Sequence, residues 1–209
     1  MRRKPPALLV LGWFVAWLLL GIGHAIGWAT PRPWGAIRGL HNGQEVVCTT
    51  FAIRDTHLWL TAAHCLHDID KPVFTIDKQP VVVVVEHQSW DVALLQGGPK
   101  TPVLRLQGYR PLYGQPVVIG GYPLALTPSF AALAGTVAAP EVVLPDGRRR
   151  IMFAAPVILG NSGSPALNAD YAVVSLVLQG LGRPSSIISL GPRWEDLKTF
   201  LASYPPKRK

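Results

Sequence analysis

From Val46 onward the chain is a succession of short apolar runs rich in valine, isoleucine, threonine and aromatic residues, broken by glycine, proline and charged turns. The pattern predicts strands over 46–53, 57–61, 73–76, 81–86, 92–95 and 103–106, with Arg54-Asp55 as a hairpin turn. The segment Gly108-Tyr-Arg-Pro-Leu-Tyr-Gly114 interrupts the series. A second set follows over 116–120, 131–138, 141–144, 150–154, 166–167, 172–178 and 186–189. Many short strands joined by such turns indicate an all-β barrel or sandwich. The last element has a different period: Trp194, Leu197, Phe200 and Leu201 recur at helical spacing after Pro192, with Glu195 and Asp196 in the first turn. Two β-halves followed by a C-terminal helix are therefore expected.

The other end is apolar without a β pattern. Residues 7–29 are 23 consecutive positions free of Lys, Arg, Asp and Glu. As a helix they would span roughly 35 Å, enough for a hydrocarbon core of about 30 Å. Met1-Arg-Arg-Lys-Pro-Pro precedes them, and those positive charges favour a cytoplasmic N-terminus. Residues 1–30 read either as an uncleaved signal-anchor or as a signal peptide cut near Gly27-Trp28-Ala29. The run exceeds most secretory apolar segments, which favours the anchor. Residues 31–35, with two prolines, read as a linker, and 205–209 as a basic tail. Either reading puts the remainder outside the cytoplasm, in the periplasm or the extracellular space, with contact to the membrane through residues 7–29.

Charge narrows the choice of partner. The net charge is +8, from 20 Lys+Arg against 12 Asp+Glu. Nine of the positives fall in Arg2-Arg-Lys4, Arg148-Arg-Arg150 and Lys207-Arg-Lys209, leaving 11 basic against 12 acidic residues elsewhere. A nucleic-acid surface spreads its charge over a face, so nucleic acid is not an expected partner. Arg148-Arg-Arg150, after Pro145-Asp-Gly147, reads as the flank of a hairpin. The only cysteines, Cys48 and Cys65, are either a disulfide of an oxidising compartment or two buried thiols.

Three segments carry chemistry. In Gly160-Asn-Ser-Gly-Ser-Pro165 a serine between glycines can occupy a tight turn with backbone N–H groups around its hydroxyl, as an acyl-transfer nucleophile needs. In Leu58-Trp-Leu-Thr-Ala-Ala-His-Cys65 an apolar strand runs into a histidine, a rigid mount for a general base. In Ser89-Trp-Asp-Val-Ala-Leu-Leu95 a carboxylate enters an apolar strand, where it could orient an imidazole.

Together, His64, Asp91 and Ser162 stand in an order that resembles the trypsin/chymotrypsin-like serine peptidases, through Thr61-Ala-Ala-His-Cys65, Asp91-Val-Ala-Leu-Leu95 and Gly160-Asn-Ser-Gly-Ser-Pro165. The second half is most similar to the bacterial HtrA/Deg proteases, on Val117-Val-Ile-Gly-Gly-Tyr-Pro123, Gly135-Thr-Val137 and the run from Ala155 to Ser162. The resemblance implies a chymotrypsin-like double β-barrel over about 36–204. Barrel one would cover about 36–107, barrel two about 112–190 and the helix about 193–203. It implies serine endopeptidase activity through His64, Asp91 and Ser162, an oxyanion hole of the Gly160 and Ser162 N–H groups, and a Cys48–Cys65 bridge bracing the histidine loop. The substrate would be protein or peptide, with no cofactor and no metal. Departures accompany it. There is no Ile-Val-Gly-Gly start, Asn161 replaces the acid of digestive zymogens, and no PDZ domain is expected. HtrA relatives raise the question of an oligomer, for which these residues offer no support.

By the same alignment Pro156 stands at the base of the primary pocket, with Val157, Ser175, Leu176 and Val177 as its walls. No acid is present there to receive Lys or Arg, and no histidine follows His87 to receive Glu. Cleavage after small or aliphatic residues is expected. Histidines 64 and 67 with Asp68 and Asp70 match no common zinc spacing. The competing function is a protease-fold binding protein without turnover, whose usual mark is a missing triad member.

Overall fold

The computed structural model describes residues 32–41, 44–54, 57–67, 75–76, 78–123, 130–180 and 188–204. The apolar segment 7–29, its signal-anchor or signal-peptide reading and the tail 205–209 lie outside the described residues. Among the described residues no helix is long and apolar enough to cross a membrane.

The first half is a closed barrel. Its strands are β1 (Trp34–His41), β2 (Gln44–Ala52), β3 (Leu58–Thr61), β4 (Thr75–Ile76), β5 (Gln79–His87) and β6 (Val92–Gly97), paired in the order β1-β2-β3-β6-β5-β4, with β4 closing onto β1. Strand β1 corrects the expected linker: Trp34 and Gly35 already pair with Phe51 and Thr50. Gly35 is buried, and a Cβ there would meet the Ile76 side chain at 2.5 Å, which explains a glycine in a strand. The five-valine run lies on β5, where Val81 is buried but Val82 and Val83 are exposed, with a bulge between Val83 and Val85. A buried central strand would alternate less openly. The expected strand at 103–106 is replaced by two isolated bridges, Ile53 to Leu104 and Leu106 to Val173.

The second half is a seven-stranded sheet of β7 (Pro116–Gly121), β8 (Ala131–Val143), β9 (Arg149–Ala154), β10 (Pro165–Leu167), β11 (Val173–Leu176), β12 (Gln179–Gly180) and β13 (Ile188–Gly191). The order is β11-β10-β7-β8-β9-β13-β12. The segments expected at 131–138 and 141–144 are one long strand, β8, with register shifts against β9. Among the described residues this sheet is not hydrogen-bonded into a ring. Its two edge strands, β11 and β12, are consecutive pieces of one run, so the sheet curls back on itself through chain continuity. The chain is thus mostly β, with a closed six-stranded barrel followed by a seven-stranded sheet in place of the expected second barrel.

Among the described residues two helices complete the fold. α1 (His64–His67) is a single turn, and α2 (Trp194–Ser203) ends the described chain. Leu197, Phe200 and Leu201 of α2 are buried in one core with Phe51, Trp59, Leu60 and Leu94 of the first barrel. A smaller core, including Ile119, Val137, Ile151 and Phe153, fills the second sheet. Glu195 and Asp196 sit in the first turn of α2, where carboxylates favour the helix dipole. Arg193 grips Asp196 through Nε and Nη2 at 2.8 and 2.7 Å and reaches Glu141 on β8 at 2.8 Å.

Candidate active site

Strand register brings the histidine and the acid together. β3 and β6 are antiparallel with Thr61 opposite Ala93, so residues just after β3 lie beside residues just before β6. His64 and Asp91 occupy those places. The His64 backbone N–H donates to Asp91 Oδ1 at 2.8 Å, and its Nδ1 stands 2.7 Å from Oδ2. An ionised carboxylate can only accept, so Nδ1 carries the proton and Nε2 is left as the basic nitrogen. The Ala63 N–H adds a bond to the Asp91 carbonyl at 3.2 Å. Asp91 has φ 57, a left-handed conformation that aspartate tolerates better than most residues, in a turn closed by its N–H on the Gln88 carbonyl at 3.0 Å.

Cys65, next to His64 in α1, is disulfide-bonded to Cys48 on β2. The bridge ties the helical turn to β2 of the barrel wall. Both sulfurs are thereby consumed, so the cluster of Cys48, His64 and Cys65, whose ligand atoms lie within 4.8 Å, offers a metal only the imidazole.

Ser162 arrives from the other half, in the loop 155–164 between β9 and β10. Gly160 and Gly163 have φ 94 and 82, conformations that L side chains rarely adopt. At Gly163 space is decisive as well, since a Cβ would lie 2.0 Å from the Thr49 carbonyl oxygen. The loop is stitched on both sides. The Thr49 N–H donates to the Ser162 carbonyl at 2.8 Å, and the Gly163 N–H to the Val177 carbonyl at 2.7 Å. Thr49 Oγ1, fully buried, donates to the Gly160 carbonyl at 2.9 Å and accepts the Tyr122 N–H at 3.0 Å. Among the described residues no acceptor takes the N–H of Gly160 or of Ser162. Both N–H groups are thus unengaged, and the serine hydroxyl itself donates to the Leu178 carbonyl at 3.0 Å.

His64, Asp91 and Ser162 line one cleft of about 710 Å³. Of the expected pocket residues, Val157 and Val177 line it and three do not. Pro156 is exposed elsewhere. Ser175 is fully buried with its hydroxyl on the Pro192 carbonyl at 2.6 Å. Leu176 belongs to the core shared with the first barrel. All four residues of β11 are buried, and the chain reaches the cleft only after leaving that strand. The wall is therefore Val177, Leu178, Gln179 and Gly180, faced by Ile158 and Leu159. Proximity to Ser162 could have pointed to Ile158 and Leu159, but nothing in the letters distinguishes Thr49 from any other strand threonine. At the far end of the cleft stands Arg148, paired with Asp146 at 2.5 Å, which holds the Asp146 carboxyl below its usual range.

With this geometry in view, comparison with known proteins is informative. The chain belongs to the trypsin-like peptidase domain family, whose model matches residues 48–176. No curated protein sequence matches it significantly. Among solved structures it resembles a serine endoprotease from Yersinia pestis (14% identity, TM-score 0.67, 83% of this chain and 63% of that one). It also resembles AlgW, an HtrA-type protease bound to a tripeptide (16%, 0.68, 83% and 60%). The chain thus spans less than two thirds of either. It is further similar to the Rv3671c protease of Mycobacterium tuberculosis in an inactive form (22%, 0.69, 100% and 99%). At these identities the likeness is one of fold.

Proposed function

We propose that the protein is a serine endopeptidase in which Ser162 is the nucleophile, His64 the general base and Asp91 the group that holds the imidazole tautomer. The observation that carries this reading is the pair of unengaged N–H groups at Gly160 and Ser162, on the loop that brings Ser162 into the cleft that holds the His64–Asp91 pair. For reaction the Ser162 hydroxyl turns from the Leu178 carbonyl to His64 Nε2. Oγ attacks the scissile carbonyl carbon as its proton passes to Nε2, and the new oxyanion takes the Gly160 and Ser162 N–H bonds. Such a donor contributes about 3 to 4 kcal/mol to the transition state. Nε2–H then protonates the departing amine as the C–N bond breaks. Water attacks the acyl-enzyme by the reverse route, returning Ser162.

The substrate is a protein or peptide, cut after a small or aliphatic residue. Val157, Ile158, Val177 and Leu178 make the wall apolar, and Asp91 is the only carboxylate among the described lining residues. Residues 7–29 and the Cys48–Cys65 bridge support an extracytoplasmic domain anchored by, or released from, its N-terminal segment.

A fluorophosphonate probe tests the assignment. Wild type should label, and Ser162→Ala should not. Peptide mapping of a digested denatured protein should show cuts after Ala, Val or Leu. Predominant cleavage after Arg or Glu would overturn the pocket reading, and a wild type that neither labels nor cleaves would favour a binding protein.

A further inference from the structure

Arg150 was legible only as one of three basic residues flanking a hairpin. In the fold it parts company with its neighbours. Arg148 and Arg149 are exposed, whereas Arg150 is 3% exposed. It leaves β9 of the second sheet and crosses to the first barrel, where Nη2 donates to the Ser89 carbonyl at 3.0 Å. Nη1 reaches the Arg149 carbonyl at 3.2 Å. Ser89 lies inside the turn from Gln88 to Asp91 that holds Asp91 at positive φ.

A guanidinium taken from water carries a large desolvation cost, and two backbone carbonyls offset only part of it. Burial pushes the Arg150 guanidinium below its ordinary value and Arg148 adds to that, while Asp91, Asp196 and Asp146 work in the opposite direction. Asp91, the carboxylate that already accepts two bonds from His64, leads the anions that offset this cost. Around this turn His64 bonds Asp91, His87 accepts the Trp90 N–H at 3.3 Å, His67 pairs with Glu86 at 3.1 Å, and Arg148 lines the same cleft as Asp91. Of these groups Arg150 is the buried cation, and it alone is bonded to the turn backbone from the opposite half.

We propose that Arg150 is a positioning residue for catalysis: from the second sheet it clamps the Ser89 carbonyl and keeps Asp91 aligned on His64. The clamp couples the halves of the site, because it acts on the acid and leaves from the sheet that presents Ser162. This rests on the catalytic assignment above.

The test compares Arg150→Met and Arg150→Lys with wild type in the full chain, using a peptide substrate, active-site labelling and thermal unfolding. Arg150→Met should lower kcat by about tenfold to a hundredfold, the loss expected from a misaligned catalytic group, with KM within about twofold. Its acid limb of kcat against pH should move to higher pH, because losing a nearby cation lets the imidazole hold its proton more tightly. Arg150→Lys, which keeps the charge, should retain the wild-type limb and recover much of kcat. A variant whose labelled, folded fraction turns over at the wild-type rate with an unmoved limb would overturn the proposal. So would equal losses in Met and Lys variants that merely track lowered unfolding temperatures. A wild type that neither labels nor cleaves removes the catalytic assignment itself, and this inference with it.

Discussion

His64 and Asp91 stand at the ends of two paired strands of a barrel closed by hydrogen bonds, whereas Ser162 stands in a loop of a sheet whose edges, among the described residues, do not pair with each other. The acid–base half is held by elements that cannot shift singly: β3, β6, one helical turn and a disulfide. The nucleophile half is held by two left-handed glycines and a few bonds to neighbours, among them Thr49 of the other barrel. Rigidity on one side and a tensioned loop on the other suit the two jobs. In the mechanism proposed above a base keeps one tautomer and one direction, while the nucleophile would change hydrogen-bond partner, from the Leu178 carbonyl to the imidazole, in each cycle.

The largest effect that would break this comparison comes from the rigid half. Asp91 accepts from both the backbone and the ring of His64. In Asp91→Asn the amide can satisfy only one of those bonds as an acceptor, and its NH₂ facing Nδ1 would force the proton onto Nε2. The fold should survive while kcat at neutral pH falls about 10⁴-fold, as wrong-tautomer triads do. Steady-state kinetics beside an unchanged unfolding curve would check both halves of the statement. A loss under tenfold would mean that the pair is structural.

Next comes the loop. Gly163→Ala adds a left-handed penalty of about 1–2 kcal/mol and an overlap with the Thr49 carbonyl costing about 1–3 kcal/mol. The methyl would point into the seam between barrel and loop, with Thr61 Oγ1 at 2.5 Å as well. Denaturant unfolding should show the loss, and fluorophosphonate labelling should slow more than binding of a peptide product weakens. Wild-type stability would show that the seam yields freely.

How much of this was readable beforehand follows the same division. The hydrophobic alternation announced most strands and the α2 period, because strands buried on one face must alternate. It missed β1, whose Trp34-Gly35 start resembles a proline-rich linker until the pairing with β2 supplies the partner. The residues of the site were legible because each is locally odd: a serine between glycines, a histidine after small residues, an acid before an apolar strand. Thr49 and Arg150 were not, since their roles come from what lies opposite in space. The misplaced pocket wall has a related cause. Counting along β11 cannot show where the strand stops facing the core, and Ser175 and Leu176 lie before that point.

Third in size is the disulfide. Removing it as Cys48→Ser with Cys65→Ser should cost about 3 kcal/mol, by release of a short loop in the unfolded chain. For a domain of this size that lowers Tm by roughly 6–12 °C. If strand pairing by itself aims His64, kcat of the folded double variant stays within about tenfold of wild type, since the losses expected from misplacement are larger. A collapse of kcat at temperatures where the variant is fully folded would transfer the credit for rigidity from the strands to the bridge.

The smallest effect concerns the outer face of the second sheet. Glu141 on β8 meets Arg193, Arg149 and Arg110 at 2.8, 3.3 and 3.7 Å, and the hydrogen bond from Arg193 leads in holding its carboxyl below the usual range. A carboxylate depressed in the folded state stabilises that state at pH above its unfolded value, and the contribution disappears as the pH falls through the lowered folded value. Glu141→Gln should therefore be less stable than wild type by a constant small margin between pH 6 and 8. The two unfolding midpoints should converge as acidification passes below the ordinary glutamate range, and added salt should narrow the gap at neutral pH. Peptide turnover should be unchanged, because the cluster anchors the start of α2 and touches neither the loop 155–164 nor the turn that carries Asp91. A variant that loses turnover while keeping its midpoint would show that the sheet's outer surface communicates with the nucleophile, and the second half would then have to be treated as one tensioned unit and not as a scaffold with a tensioned loop.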